Sequence, residues 1–392
     1  MITIDRVIHE HSAVDLVDKL LMRAIECKAS DIHCEPLENR LRIRYRIDGV
    51  LYDQPSLPES LSTQILSRIK ILAHTDIAEK RIPQDGKFRV NAGVHDIDLR
   101  VSTFPSMHGQ KIVIRILDRS HMTIALNHLG LQLNMYESLG SILNKQSGFF
   151  LVTGPTGSGK TTTLYAALST LNMTEKNIIT LEDPVEYYIE GITQGHIQSD
   201  IGFTFARGIR AMLRQDPDVV MVGEIRDIET AKAAIEASLT GHLVLSTLHT
   251  TDAPGALMRL MDMGIEPFLI NASVSGILAQ RLVRRLCMRC KIERMPTDDE
   301  KMMLERLELP LKTVFSSLGC ADCLNLGYKG RIGIFELLMM THELRALVVH
   351  RPIFDAIAAQ ARADGMATLL EDAKYKVQQG IISLAELVRM LL

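Results

Sequence analysis

Apolar residues change their spacing within the first third of the chain. They recur at helical spacing in residues 13–30, and from Leu41 onward the period becomes two. An Asp48-Gly49 pair interrupts the alternation, which is typical of a tight β-hairpin turn. Further alternating segments follow, so residues 1–120 are predicted to form a small antiparallel α+β domain.

The pattern differs from Phe149 onward, where short apolar runs alternate with helical stretches. The runs that predict buried strands are residues 149–153, 178–181, 219–222 and 243–247. This order is typical of a parallel sheet with crossover helices, the α/β fold class. The domains expected beyond residue 120 are a parallel-sheet domain at 121–285, a cysteine-bearing module at 286–335 and a helical domain at 336–392.

A glycine-rich segment follows the first of these predicted strands and precedes a predicted helix. It matches G-x-x-x-x-G-K-[ST], the loop whose backbone N–H groups surround phosphates at a helix N-terminus. The predicted nucleotide-binding residues are Gly154, Pro155, Thr156, Gly157, Ser158, Gly159, Lys160, Thr161 and Thr162. Lys160 is expected to reach the β and γ phosphates, and Thr161 to hold Mg²⁺. A glycine-rich turn that binds nothing is the weaker alternative, given the strand and helix on either side.

Two carboxylates follow neighbouring predicted strands, where ligands of open parallel sheets bind. Glu182 ends one strand, and Glu224 follows the next after Gly223, which stands where a P-loop enzyme usually has Asp. We expect Glu182 to orient and deprotonate the attacking water and Glu224 to bind magnesium through its waters. The exchange of these two roles remains an open alternative.

Histidines and arginines are further candidates for the reaction. His242 and His249 flank the predicted strand at 243–247, where either could contact the γ phosphate or be purely structural. Phosphoryl transfer also gains from a positive charge placed against the γ phosphate. Arg100 and Arg115, on predicted strands of the first domain, could supply it, although exposed strand faces commonly carry arginine.

Four of the six cysteines form two Cys-x-x-Cys pairs. The pairs are Cys287 with Cys290 and Cys320 with Cys323, in the pattern C-x₂-C-x₂₉-C-x₂-C. Four thiolates close a tetrahedral structural zinc site, so zinc is expected here, with unliganded thiols or reversible disulfides as alternatives. A helix is predicted to fill the gap at residues 298–309.

The composition excludes several classes of protein. Among 392 residues, 44 Lys and Arg stand against 47 Asp and Glu, a net charge of −3 that argues against a general polyanion binder. No apolar run approaches the roughly 18 residues of a membrane span, and the start lacks the order of a secretory signal. We therefore expect a cytoplasmic protein with no transmembrane segment and no nucleic-acid partner.

A series of motifs in one order resembles the ATPases of the type II secretion and type IV pilus assembly family. The matching segments are residues 29–36, 81–87, 100–106, 154–161, 181–186, 213–218, 223–227 and 240–249. The resemblance implies a RecA-like P-loop motor domain, preceded by a PAS-like domain that is the second N-terminal domain of larger members. It also implies ATP hydrolysis by a homo-hexamer that powers pseudopilus or pilus assembly and protein export, with ATP, Mg²⁺ and Zn²⁺ as cofactors.

The resemblance also assigns roles to single residues. It places Glu182 in the family's acidic box, Glu224 in a variant Walker B motif, and His242 and His249 in the histidine box. It also matches Arg100 and Arg115 to arginines that approach the nucleotide. The cysteine pairs match the zinc module of the assembly branch, which the retraction motors generally lack. The implied partners are inner-membrane platform proteins, through which a cytoplasmic motor associates peripherally with the membrane.

Two other functions fit the phosphate loop. One is a RecA-like motor stimulated by nucleic acid, and the other is a nucleotide-gated scaffold with negligible turnover. Stimulation of ATP hydrolysis by nucleic acid would favour the first, although the slightly acidic net charge and the absence of Trp weigh against it.

Overall fold

The computed structural model describes residues 12–93, 96–117 and 124–391. The chain divides into two compact units, Met1–Met122 and Thr123–Leu392. The domain boundary expected at 120/121 lies outside the described residues. Within the described part of the chain, no helix combines the length and the apolar character needed to cross a bilayer.

The first unit consists of two helices and an antiparallel sheet. Its helices are α1 (Ala13–Glu26) and α2 (Glu59–Leu72). Its strands are β1 (Asp31–Leu37), β2 (Arg40–Ile47), β3 (Val50–Asp53), β4 (Leu57–Pro58), β5 (Gln84–Asn91), β6 (Asp96–Ser106) and β7 (Gly109–Leu117). They pair antiparallel in the order β3-β2-β1-β7-β6-β5, with β4 beside β2. The predicted antiparallel α+β character of this region is confirmed.

The β2–β3 hairpin shows how local sequence fixes this sheet. Asp48 and Gly49 both adopt positive φ, 49° and 86°, as a two-residue turn between right-twisted strands requires. On the buried face of β2, Tyr45 is 1% exposed. Its hydroxyl donates to the carbonyl oxygen of Leu20 at 2.8 Å, which links the sheet to α1.

The second unit is built on a second seven-stranded sheet. The strands of the whole unit, two of which lie outside this sheet, are β8 (Gly148–Thr153), β9 (Ile178–Glu182), β10 (Thr193–His196), β11 (Val219–Val222), β12 (Leu243–Leu248), β13 (Val274–Leu286), β14 (Lys291–Arg294), β15 (Val314–Ser317) and β16 (Tyr328–Met339). Its helices are α3 (Leu133–Leu143), α4 (Lys160–Leu171), α5 (Phe205–Met212), α6 (Ile228–Leu239), α7 (Ala253–Asp262), α8 (Pro267–Ser273), α9 (Asp298–Arg306), α10 (His342–Val348), α11 (Phe354–Ala363), α12 (Leu369–Gln378) and α13 (Leu384–Leu391).

The large sheet has the order β10-β9-β11-β12-β8-β13-β16. All neighbouring strands are parallel except β13 and β16, which are antiparallel. The four strands expected from the apolar runs are β8, β9, β11 and β12, so the predicted α/β fold class with a parallel sheet is confirmed.

Both faces of this sheet are covered, which explains why its strands are apolar throughout rather than alternating. Along β8, Phe149 and Leu151 belong to one apolar cluster that includes residues of α5 to α8. Phe150 and Val152 belong to a second cluster that includes residues of α3 and α4. The carboxyl ends of the parallel strands therefore remain as the accessible edge where polar chemistry can be placed.

The segment between β13 and β16 leaves this sheet and returns to it. It contains the antiparallel pair β14 and β15, together with α9. Helix α9 lies within the predicted 298–309 helix, which is thereby confirmed, and Thr297 and Glu300 form a capping box at its start.

Helix α12 contains a buried ion pair whose carboxylate also bonds to β16. Asp372 and Lys376 are 0% and 1% exposed and contact each other. Asp372 also accepts hydrogen bonds from the backbone N–H of Phe335 at 2.8 Å and from Gln132 Nε2 at 2.7 Å. Because the remaining acceptor capacity of the buried carboxylate is used in this way, the desolvation cost of the pair is partly offset.

Candidate nucleotide-binding site

The phosphate loop joins the carboxyl end of β8 to the first turn of α4. Gly154, Gly157 and Gly159 all adopt positive φ, 148°, 79° and 89°. A Cβ at Gly154 would lie 2.4 Å from the carbonyl oxygen of Gln280, so no larger residue fits. The loop leads directly into the helix N-terminus, where unpaired N–H groups favour an anion.

Gln280 on β13 is a structural support of this loop that sequence analysis missed. It is 2% exposed, and its Nε2 donates to the carbonyl oxygen of Ser158 at 2.7 Å. Its Oε1 accepts from the Thr163 hydroxyl at 2.8 Å, so one side chain holds both the loop and α4. The contact spans 122 residues of sequence, and no local pattern indicates it.

Lys160, the first residue of α4, lies over the loop. Its ammonium donates to the carbonyl oxygens of Gly154 at 2.8 Å and Pro155 at 3.2 Å. Burial lowers the pKa of Lys160, and the charge of Glu224 offsets part of that effect. The phosphate loop follows β8 and Glu224 follows β11, and these strands end at the same edge of the parallel sheet with β12 between them.

Glu182, the last residue of β9, is only 3% exposed. Its Oε1 accepts hydrogen bonds from Thr180 Oγ1 at 2.6 Å and from Gln194 Nε2 at 3.2 Å. Its Oε2 accepts one from the Tyr165 hydroxyl. The structure therefore places this predicted catalytic carboxylate in a network of side-chain donors, of which sequence analysis singled out none.

Glu224 has more contact with solvent. Its side chain is 16% exposed, with Oε1 2.5 Å from an Arg226 guanidinium nitrogen and Oε2 3.3 Å from His249 Nε2. A Cβ at the preceding Gly223 would lie 3.2 Å from the carbonyl oxygen of Leu181 and 3.4 Å from Glu182 Cα, which is close but not a severe clash. The backbone N–H of Gly223 donates to the carbonyl oxygen of Leu181 at 2.8 Å, so the segments that carry the two candidate carboxylates are direct neighbours.

The two candidate histidines lie at opposite ends of β12. His249 follows the strand, and Thr250 N donates to Thr153 Oγ1 at 2.9 Å, which fixes this loop beside the end of β8. His242 precedes the strand, and its Nδ1 lies 2.9 Å from the carbonyl oxygen of Ala237. Six strand residues separate the two positions by about 20 Å. The structure therefore brings His249 to the candidate site, whereas His242 lies at the opposite end of β12.

Magnesium and nucleotide fit the donors that this edge provides. Thr161 offers a hydroxyl and Glu224 a carboxylate, the hard oxygen ligands that Mg²⁺ prefers. The backbone of the loop offers N–H groups, and Lys160 offers an ammonium, to phosphate oxygens.

Arg100 and Arg115 lie in the first unit, next to each other. They pair directly across β6 and β7, and Lys87 on β5 pairs directly with Arg100. All three residues are exposed, and Arg115 Nε donates to Asp31 Oδ1 at 3.1 Å. Like charges placed directly opposite each other destabilise a sheet. A bound anion would therefore stabilise the basic row formed by Lys87, Arg100 and Arg115. Sequence analysis missed Lys87 because only the strand register adds it to the row.

The four cysteines come together, with their sulfur atoms within 4.8 Å of one another. The Sγ distances are 3.8 Å between Cys287 and Cys320, 3.8 Å between Cys290 and Cys323, and 3.7 Å between Cys320 and Cys323. A tetrahedral ion with bonds of about 2.3 Å to sulfur needs edges of about 3.8 Å. A disulfide needs about 2.05 Å, so the spacing fits a metal better.

The fold and the site together define a P-loop ATPase. Residues 8–389 match the family described as Type II/IV secretion system protein, and the chain belongs to this family. The family resemblance expected from the motifs is thus confirmed.

Individual relatives agree with this assignment. The chain is 47% identical over 377 residues to the type II secretion system protein E of Pseudomonas aeruginosa, covering 96% of the chain and 75% of that protein. It is 46% identical over 382 residues to the type IV pilus assembly ATPase PilB of Myxococcus xanthus, covering 96% and 67%. The solved ATPase DotB of Legionella pneumophila has the same fold, with a TM-score of 0.69 at 23% identity over 98% of this chain and 96% of that one.

Proposed function

We propose that this secretion-family ATPase is the ATP-hydrolysing motor of a type II secretion or type IV pilus assembly system and works as a homo-hexameric ring. The observation that carries the proposal is the phosphate loop with Glu182 and Glu224 at the carboxyl edge of one parallel sheet. Its partners are inner-membrane platform proteins, and its place of action is the cytoplasmic face of the membrane.

In the proposed reaction, Glu182 orients the attacking water and accepts its proton. The water oxygen forms a bond to the γ phosphorus, and the bond from that phosphorus to the bridging oxygen of ADP breaks. Lys160 neutralises charge on the β and γ phosphates. Thr161 and, through waters, Glu224 would hold Mg²⁺, which would supply Lewis-acid stabilisation. His249 positions Glu224 through its ring nitrogen. In the alternative, Glu182 and Glu224 exchange roles.

The basic row of the first unit is proposed to contact the triphosphate. Arg100 and Arg115 would stabilise charge that develops on the γ phosphate, so that nucleotide binding and hydrolysis move one unit against the other. The support is the like-charged register across β6 and β7, which an anion would relieve.

Alanine at Arg100 or at Arg115 is expected to lower kcat about tenfold to a hundredfold each, because a preorganised donor is lost while its neighbour remains. Steady-state ATP hydrolysis by each purified variant measures this. Arg89→Ala serves as the control, since Arg89 on β5 bonds Asp98 at 2.7 Å outside the row. Turnover at the wild-type rate in both row variants would show that the basic row has no part in catalysis.

Zinc is proposed as the ion of the tetracysteine cluster. Three of its four cysteines are buried, and four thiolates leave no open coordination position. The proposed role is therefore structural, and no reaction step is assigned to it.

The test of the motor proposal is ATP hydrolysis measured across a range of protein concentrations, with sedimentation on the same samples. Specific activity is expected to rise as rings form. Full specific activity in samples that sediment as monomers would contradict the ring. Calorimetry without ATP uptake would contradict the nucleotide site. Strong stimulation by DNA or RNA would favour the nucleic-acid motor instead, and ATP uptake with negligible turnover by assembled rings would favour the scaffold.

A further inference from the structure

The network around Glu182 has a feature that the proposed reaction does not use. Both of its carboxylate oxygens are occupied by side-chain donors, and one of these donors comes from the phosphate-binding helix. Tyr165 lies on α4, five residues after Lys160, and is 1% exposed. Its hydroxyl reaches across to Glu182 Oε2.

The chemistry of Tyr165 makes it a donor at this contact. Burial and the hydrogen bond to Glu182 raise the pKa of Tyr165 well above its ordinary value. The phenol therefore stays protonated at any physiological pH, and its O–H donates a hydrogen bond to the carboxylate. Its ring packs edge to face against Tyr187, with centroids 4.6 Å apart, so the hydroxyl has little freedom to turn away.

The second long-range donor is also fixed. Gln194 Oε1 accepts from the backbone N–H of Ile189 at 2.8 Å, and its Nε2 donates to the carbonyl oxygen of Tyr187 at 3.0 Å. These bonds determine which end of the amide faces Glu182. Consequently the carboxylate is held from α4 on one oxygen and from β9 and β10 on the other.

We propose that Tyr165 is a positioning residue for ATP hydrolysis, coupling the phosphate-binding helix to Glu182 through one hydrogen bond. The inference rests on the proposed role of Glu182 as the base. Because Lys160 and Tyr165 belong to the same helix, a displacement of α4 on phosphate binding is transmitted directly to the carboxylate. Loss of the hydroxyl leaves Oε2 without this orienting donor, and the water that Glu182 activates is then held less accurately.

The primary test is Tyr165→Phe in the full chain, which deletes only the hydroxyl. We expect kcat about tenfold lower, as for a lost hydrogen bond to a charged group. The KM for ATP and the ATP affinity by calorimetry should stay within about twofold, since phosphate binding by Lys160 is untouched. Retained ATP affinity also shows that the variant is folded.

Tyr45→Phe is the matched control. Tyr45 is likewise 1% exposed and donates one hydrogen bond, to Leu20, in the first unit. Its removal should cost a comparable amount of thermal stability while kcat stays at the wild-type value. A fall in kcat of equal size in both variants would mean that loss of a buried hydroxyl, and not positioning, causes the effect.

The second test repeats Tyr165→Phe in a Glu182→Gln background under single-turnover conditions. Glu182→Gln should bind ATP but hydrolyse it very slowly, and adding Tyr165→Phe should cause no further loss. An equal additional loss in both backgrounds would overturn the inference, as would an increased KM at unchanged kcat. Brisk hydrolysis by Glu182→Gln would instead refute the role of Glu182 as the base. An inactive Glu182→Gln together with a fully active Tyr165→Phe would refute only the positioning role of Tyr165.

Discussion

Alanine at Lys160 is expected to reduce kcat/KM for ATP hydrolysis by about three orders of magnitude. The ammonium is the one side-chain cation of the phosphate loop itself, and in the structure it already lies against the Gly154 and Pro155 carbonyl oxygens. It can exchange these neutral acceptors for phosphate oxygens, where a charge-assisted contact is far stronger. The loss should appear both in ATP affinity and in turnover, because the charge is needed before and during transfer.

Calorimetry with ATP and a steady-state phosphate assay measure the two parts of this effect. Lys145→Ala is the control, because Lys145 is exposed and lies between α3 and β8, away from the loop. Thermal unfolding of Lys160→Ala should match the wild type, since its ammonium makes only two hydrogen bonds to the loop. ATP affinity at the wild-type level in Lys160→Ala would refute the placement of the triphosphate at this loop.

The sequence alone could predict the parts of the site that depend on local order. The phosphate loop, the strands before it and the carboxylates that end β9 and follow β11 are all encoded by short consecutive segments. The carboxyl ends of parallel strands share one edge, so even the meeting of Glu182 and Glu224 on that edge follows from the sequence pattern. The cysteine spacing likewise predicts its cluster.

The residues that sequence analysis missed act across long separations. Gln280 holds the loop from 122 residues away, and Tyr165 reaches Glu182 from within a helix whose apolar positions already account for it as core. Lys87 joins Arg100 and Arg115 only through strand register. The sequence pattern does not distinguish a buried Gln or Tyr that supports a functional site from one that only packs in the core. The three-dimensional fold was therefore needed to find Gln280, Tyr165 and Lys87.

The two candidate histidines also show what the sequence alone could not decide. His242 and His249 are equivalent in sequence, one at each end of an apolar run. Only the direction of β12 in the parallel sheet separates them, since the phosphate loop follows the carboxyl end of β8 beside it. Strand direction is a property of the fold, and it places His249 at the phosphate loop and His242 at the far edge.

Serine at Cys290 is expected to cause the largest loss of stability. A tetrathiolate zinc site contributes of order 10 kcal/mol to the fold it closes, and a hydroxyl is a poor replacement for a thiolate ligand. The variant should retain well under one zinc per chain by metal analysis, and the module should unfold at least about 10 °C earlier. Wild-type protein treated with a strong chelator should lose the same transition.

The matched control is Cys34→Ala, which removes a buried thiol outside the cluster. Cys34 is 1% exposed on β1 of the first unit and does not belong to the tetracysteine cluster. Zinc content should be unchanged in this variant, whatever its effect on the first unit. Freshly purified, unchelated wild-type protein with almost no zinc would refute the metal assignment. Full zinc occupancy in Cys290→Ser would place the ion elsewhere in the chain. A site with only three thiolate ligands holds Zn²⁺ far more weakly than a site with four.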